Sequence, residues 1–198
     1  MLKCSRMSLR EAIRVLETMG VLRIVPGKGT WVREDYIQPS LGCGSSWLPS
    51  HRNDVMLLFE LKETLEEKAA ALAAVRADPE QILELAGQVE RFAAALAGGD
   101  VDNMIEADAA FRAKITEMSG NHYLEEVLEG VDRVVSAVRR ALMDIPGRPS
   151  RILGEHREVA AAVIARDPVA AAGAMARHSH RAEEEINEYV RTIDEQRS

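Results

Sequence analysis

Residues 155–182 read EHREVAAAVIARDPVAAAGAMARHSHRA, and this stretch decides the fold. Asp167-Pro168 is a helix start: an aspartate that can cap free backbone N–H groups, followed by a proline suited to the first helical position. It separates two alanine-rich segments and predicts helices over 150–166 and 168–194. His156 lies eleven residues before Asp167 and His178 eleven after it. Around a reversal of two helices, such residues sit at similar height, about 16 Å from the turn at 1.5 Å per residue. Facing inward they would converge. Two histidines and a carboxylate are ordinary ligands of a divalent transition metal, although a lone histidine is more often a surface or satisfied core residue.

The same punctuation continues towards the N-terminus. Asp78-Pro79-Glu80 is a second capped start, and Gly98-Gly99 and Gly120-Asn121 are stops. Pro146, Gly147 and Pro149 break the chain before the fifth helix. Further helices are expected over 52–76, 79–97, 101–118 and 122–143. Asp108 and Arg112, four residues apart, share a face of the third of these. The alanine-rich patches Ala69–Ala74 and Ala170–Ala174 read as close helix contacts, with exposed alanine faces as candidate dimer surfaces.

Composition agrees with a helical chain. Of 198 residues, 46% are apolar but only 4% aromatic, which favours helix packing over a β-sandwich and excludes a disordered chain. No apolar run approaches a membrane span, and MLKCSRMSLR carries no secretory signal. Cys4 and Cys43 are too few for a disulfide framework, so a reducing cytoplasm is the expected location.

The net charge of −7 is unevenly distributed. Residues 1–33 hold seven cations, two anions and a balance of +5. A basic head on an acidic body points to a head that meets a polyanion. Within the head, Leu9, Ala12, Ile13, Leu16 and Met19 mark the apolar stripe of a helix over 5–19, and Arg6, Arg10 and Arg14 recur on another face. Two β-prone runs, Leu22–Val25 and Thr30–Val32, flank Pro26-Gly27-Lys28-Gly29 and predict a hairpin. Pro39, Gly42, Gly44, Ser45, Ser46 and Pro49 mark a linker. The expected domains are thus 1–36, a linker 37–51, and 52–198.

Residues 5–32, SRMSLREAIRVLETMGVLRIVPGKGTWV, resemble the second half of the winged helix-turn-helix of GntR-family regulators. The resemblance implies DNA contacts by Ser5, Arg6, Ser8 and Arg10 from a recognition helix, and by Lys28, Gly29 and Thr30 from the wing. Met7 stands where a small hydroxyl residue is usual. The first helices of the module would precede Ser5, so a partial module is expected. Three further stretches resemble the ligand-binding FCD domain of the FadR subfamily: residues 58–74 (LFELKETLEEKAAALAA), 106–124 (EADAAFRAKITEMSGNHYL) and 155–182. That likeness implies an antiparallel helical bundle with a central pocket, where one aspartate and three histidines commonly hold a metal that a carboxylate effector caps. Asp108, His156 and His178 match three ligand positions. The fourth is Arg112, which keeps its proton and cannot ligate. The site is then either a three-ligand site for Zn, Ni, Mn or Fe, or one without metal. Lys62 stands where arginine is frequent, and Lys62 with Arg112 would then bind an anionic effector directly. Read as residues alone, Arg112 suits an i, i+4 salt bridge to Asp108 equally well, and Lys62 suits an exposed helix face. His122 and His180 read as surface histidines.

The expected protein is therefore mostly α, a partial winged helix-turn-helix followed by an all-α antiparallel bundle. Its expected role is a dimeric, repressing DNA-binding regulator of a two-fold operator, controlled by a small carboxylate. The rival readings are a helical metalloenzyme using Asp108, His156 and His178, for which no nucleophile–base pair is evident, and a dimerisation module without DNA binding.

Overall fold

A computed structural model describes residues 22–25, 29–32 and 52–197. The expected helix over 5–19, the linker, and Ser5, Arg6, Ser8, Arg10 and Lys28 lie outside the described residues. The chain divides into two units, Met1–Gln38 and Pro39–Ser198.

In the first unit, β1 (Leu22–Val25) and β2 (Gly29–Val32) pair antiparallel with Leu22 opposite Val32 and Val25 opposite Gly29. Gly29 has φ 116°, a conformation that side chains disfavour. Gly29 and Thr30 are exposed.

In the second unit the described helices are α1 (Arg52–Arg76), α2 (Pro79–Gly98), α3 (Val101–Met118), α4 (His122–Asp144), α5 (Arg148–Ile164) and α6 (Pro168–Arg197). Their ends follow the sequence chemistry. Asp78 accepts from the Gln81 backbone N–H at 2.8 Å while the Gln81 side chain accepts from the Asp78 N–H, a reciprocal cap at the start of α2. Gly99 closes that helix at φ 66°. Asp100 caps α3 and Asn121 caps α4. Asp167 accepts from Val169 and Ala170 N–H at 3.0 and 2.9 Å to open α6, as its Asp-Pro signal requires.

The fifth helix departs from expectation. It spans 148–164 rather than 150–166. Pro149 does not precede the helix but sits in its first turn, where no backbone donor is needed, after Gly147 at φ 76°. At the other end Arg166 takes the left-handed conformation, φ 58°, and Asp167 N–H returns to the Ala162 carbonyl. A non-glycine residue thus does the work a helix-ending glycine usually does.

The bundle packs α1 chiefly against α6, α2 against α3, and α5 against α6, with α1 also touching α3. Ala69, Ala70, Ala73 and Ala74 of α1 are fully buried, as is Ala171 of α6. These faces are the close helix contacts expected from sequence, where small side chains let neighbouring helices approach closely, and being internal they are not available as dimer surfaces. Phe111, Ile115 and Met118 fill the core from α3, with Val159 and Val163 from α5 and Met175 from α6. Burying such side chains stabilises by about 1.5–3 kcal/mol each. Among the described residues no helix is long and apolar enough to cross a membrane.

Candidate functional site

The packing of α1 against α6 and α3 brings charged side chains inside the bundle. Helical spacing places them in pairs. Lys62 and Glu66 are four apart on α1, and Asp108 and Arg112 four apart on α3, so each pair shares one face. These four side chains, with Arg139 of α4, Arg148 of α5 and Ser179 of α6, line one cleft together with Phe59, Val135 and Leu142.

Arg112 joins the two faces. Its Nε donates to Asp108 Oδ2 at 3.1 Å, and its Nη1 donates to both Glu66 oxygens, at 3.0 and 3.1 Å. Lys62 also donates to Glu66, and its ammonium lies 3.5 Å from Asp132 Oδ1. Ser179 Oγ donates to Glu66 Oε2 at 2.8 Å. Arg139 bridges Asp132 at 2.7 Å and stands 3.7 Å from Asp108. Lys62 is only 3% exposed, so its reading as a surface charge is corrected. The face of α1 that carries it packs into the bundle.

Asp108, His156 and His178 also come together. They present one ligand-type atom each, all within 4.8 Å of one another, and all three are buried. The two imidazole rings lie 5.2 Å apart, the convergence expected from their equal spacing about Asp167. His156 Nε2 contacts Asp108 Oδ1 at 3.2 Å. Phe111 stacks on its ring at 4.0 Å and Phe92 meets it edge-on at 5.1 Å, fixing the ring plane. Beneath His178 is a second ionic group. Glu155 accepts from His178 Nδ1 at 2.7 Å, from Arg148 at 2.8 Å and from Arg181 at 3.1 Å. Arg148, fully buried, also pairs with Glu185 at 2.7 Å.

Burial and these partners decide the charge states. Burial pushes His178 down to about 4, helped by the Arg112 charge and outweighing the Glu155 bond. Burial likewise lowers His156 against the pull of Asp108. Both imidazoles are neutral at pH 7, so their carboxylate contacts are hydrogen bonds rather than ion pairs. Burial alone would raise Asp108, but Arg112 and the His156 bond hold it well below the usual carboxylate range. Glu66 is likewise raised by burial and lowered further by Lys62 and Arg112, with a net fall. Burial and the neighbouring Arg112 lower Lys62. Arg112, flanked by Asp108 and Glu66, is raised despite its burial.

A divalent ion would need deprotonated imidazole nitrogens and a carboxylate. The site provides them: among the described residues, His156 Nδ1 and His178 Nε2 are buried without a hydrogen-bond partner, and Glu155 fixes the tautomer of His178 by accepting a hydrogen bond from its Nδ1. The donor set fits a three-ligand site. The guanidinium on Asp108 Oδ2 supplies positive charge where a fourth ligand would stand.

The expected residues Lys62, Asp108, Arg112, His156 and His178 thus meet within one helical unit. Gly29 and Thr30 lie on the hairpin of the other unit. Sequence reading missed Glu66, Arg139, Arg148, Glu155 and Ser179. Glu66 had a signal, its i, i+4 spacing from Lys62, and Glu155 is the neighbour of His156. Arg139 and Arg148 had none. His180 is 57% exposed on its side chain and lies 3.4 Å from Glu184, in keeping with a surface histidine.

The FCD domain family matches residues 57–181. The HTH-type transcriptional regulator LutR of Bacillus subtilis is 25% identical over 190 residues, spanning 93% of this chain and 86% of that protein. The putative L-lactate dehydrogenase operon regulatory protein of Escherichia coli is 31% identical, over 88% of this chain and 69% of that protein. Among solved structures, Streptococcus agalactiae GntR superposes with a TM-score of 0.59 at 27% identity, covering 91% of this chain and 82% of that one. E. coli McbR/YncC shares the fold, with a TM-score of 0.64 at 21% identity over 94% and 87% of the two chains. These relatives are regulators, which removes the metalloenzyme reading. The chain belongs to the FCD-domain family of GntR helix-turn-helix proteins: it is a DNA-binding transcription regulator, not an enzyme, with a helical effector-binding domain.

Proposed function

We propose that the regulator binds a small organic-acid carboxylate in the cleft between α1, α3 and α4, and that this binding releases it from DNA. The observation that carries the reading is the gathering of Lys62, Arg112, Arg139 and Arg148 around one cleft. Buried guanidinium groups suit carboxylates because two parallel N–H donors match two oxygens. Arg112 and Lys62 are the effector-binding residues. A relative whose name ties it to a lactate dehydrogenase operon supports a hydroxy or keto acid as the class.

On the DNA side, Ser5, Arg6, Ser8 and Arg10 contact the operator from a recognition helix and Lys28, Gly29 and Thr30 from the wing. The +5 balance of residues 1–33 supports this. The regulator acts as a repressor in the cytoplasm, and as a homodimer on a two-fold operator, since half-site symmetry mirrors protein symmetry.

A divalent Zn, Ni, Mn or Fe would be held by Asp108, His156 and His178 and would supply a Lewis acid facing the effector carboxylate. Arg112 already contributes a fixed positive charge beside Asp108, so effector binding needs little or no metal. The test is selection of a DNA site from a random pool, then gel shifts with an organic-acid panel. The reading expects an inverted-repeat site released by at least one acid; retention with every acid would overturn it.

A further inference from the structure

The cleft already holds a carboxylate of the protein's own. Glu66 is 3% exposed and both its oxygens are engaged. Oε1 accepts from the Lys62 ammonium and from Arg112 Nη1 at 3.0 Å. Oε2 accepts from Arg112 Nη1 at 3.1 Å and from Ser179 Oγ at 2.8 Å. These donors come from α1, α3 and α6 and all line the cleft. Together they are what an external carboxylate would require: two cations and a hydroxyl around one pair of oxygens.

Each cleft-lining cation already faces an acid: Lys62 faces Glu66, Arg112 faces Asp108 as well as Glu66, Arg139 faces Asp132, and Arg148 faces Glu155. An added anion finds no unmatched positive charge, and an uncompensated negative charge in a low-dielectric interior is strongly disfavoured. Exchange of one carboxylate for another keeps the balance when the Glu66 side chain swings out of the cleft to solvent as the incoming carboxylate takes its place. Asp132 and Glu155 do not line the cleft. Asp108 does, but it sits between Arg112 and His156 and near Arg139. Glu66 lines the cleft, and its partners are two long side chains and a rotatable hydroxyl, which can re-form the same bonds with another pair of oxygens.

Resting on the effector reading above, we infer that Glu66 is a resident competitor, its carboxylate occupying the anion position made by Lys62, Arg112 and Ser179, and that an effector carboxylate binds by displacing it. Affinity is then set by the difference between two carboxylates, not by the cations alone. The displaced group belongs to α1, the helix that follows residues 37–51 in the chain.

Glu66→Gln keeps the side-chain shape and removes the negative charge. Calorimetric titration of malonate, with chelator present, should show at least tenfold tighter binding to Glu66→Gln than to wild type. Glu66→Ala should melt lower than wild type and regain melting temperature with acetate, but not with chloride at equal ionic strength; this second readout holds even if one variant folds poorly. Malonate binding to Glu66→Gln that is no tighter than to wild type, or absent in both, overturns the displacement. So does acetate acting no better than chloride. The effector reading fails separately, when no acid in the wild-type panel releases DNA.

Discussion

Arg112→His exchanges the guanidinium beside Asp108 for a neutral imidazole four residues along the same helix face. Two consequences follow from the structure. Without metal, Glu66 loses both Arg112 contacts and keeps only Lys62 and Ser179, while Asp108 loses its 3.1 Å partner. Removing one partner from a buried ionic group costs about 3–5 kcal/mol. At about 2–4 °C per kcal/mol for a chain of this size, the metal-free variant should melt about 6–20 °C below wild type. With metal, the new imidazole joins Asp108, His156 and His178 in a four-ligand set. A ligand at about 100-fold its Kd stabilises by about 2.7 kcal/mol, so Zn2+ or Ni2+ should restore about 5–11 °C. Wild type should respond much less, because Arg112 repels the ion. The assay is thermal unfolding followed by circular dichroism, each protein with EDTA and with excess Zn2+ or Ni2+. A variant no more metal-responsive than wild type would rule out the four-ligand set, and one melting as high as wild type in EDTA would rule out a stabilising role for Arg112.

Acid should weaken the fold through His178. Its folded pKa, about 4, lies below the ordinary value of 6.5, so between those values the unfolded chain binds more protons. Stability is therefore flat above pH 6.5 and falls as pH drops through that window, by about 3 kcal/mol from this residue by pH 4. For Glu155, burial opposes ionisation, but the His178 and Arg148 contacts bring it down to about 2, which adds a loss as pH falls below 4.5. Urea midpoints at pH 7 and 4.5 should show a shallower pH dependence for His178→Gln than for wild type; equal slopes would contradict it. Phe111→Ala should cost about 3–5 kcal/mol, since the ring is fully buried and stacks on His156. A loss below about 1 kcal/mol in denaturant titration would count against that packing.

Much of the bundle was legible because its helix ends are written in side chains. Asp78-Pro79, Gly99, Asn121 and Asp167-Pro168 each act locally, through caps and left-handed turns that need no distant partner. The His156–His178 convergence was legible for a related reason: equal steps along two helices from a shared reversal are fixed by the helical rise. Pro149 misled because proline at the first helical turn and proline before a helix look alike in sequence. Lys62 misled because α1 carries charges on several faces, so the pattern does not show which face turns inward. The ionic network around Glu66 was out of reach. Arg112 lies 46 residues from it and Ser179 lies 113 away, and only the packing of three helices brings them together.

The central claim is that an organic anion is held in this cleft by fixed protein cations, Arg112 above all, rather than by a metal. Calorimetric titration of an organic-acid panel into wild type and Arg112→Ala, each with and without chelator, tests it most directly. At least one acid should bind wild type equally well with chelator and bind Arg112→Ala about 2–4 kcal/mol more weakly, the range of buried charge-pair truncations. Binding abolished by chelator and untouched by Arg112→Ala would contradict it and reduce Arg112 to a structural salt bridge.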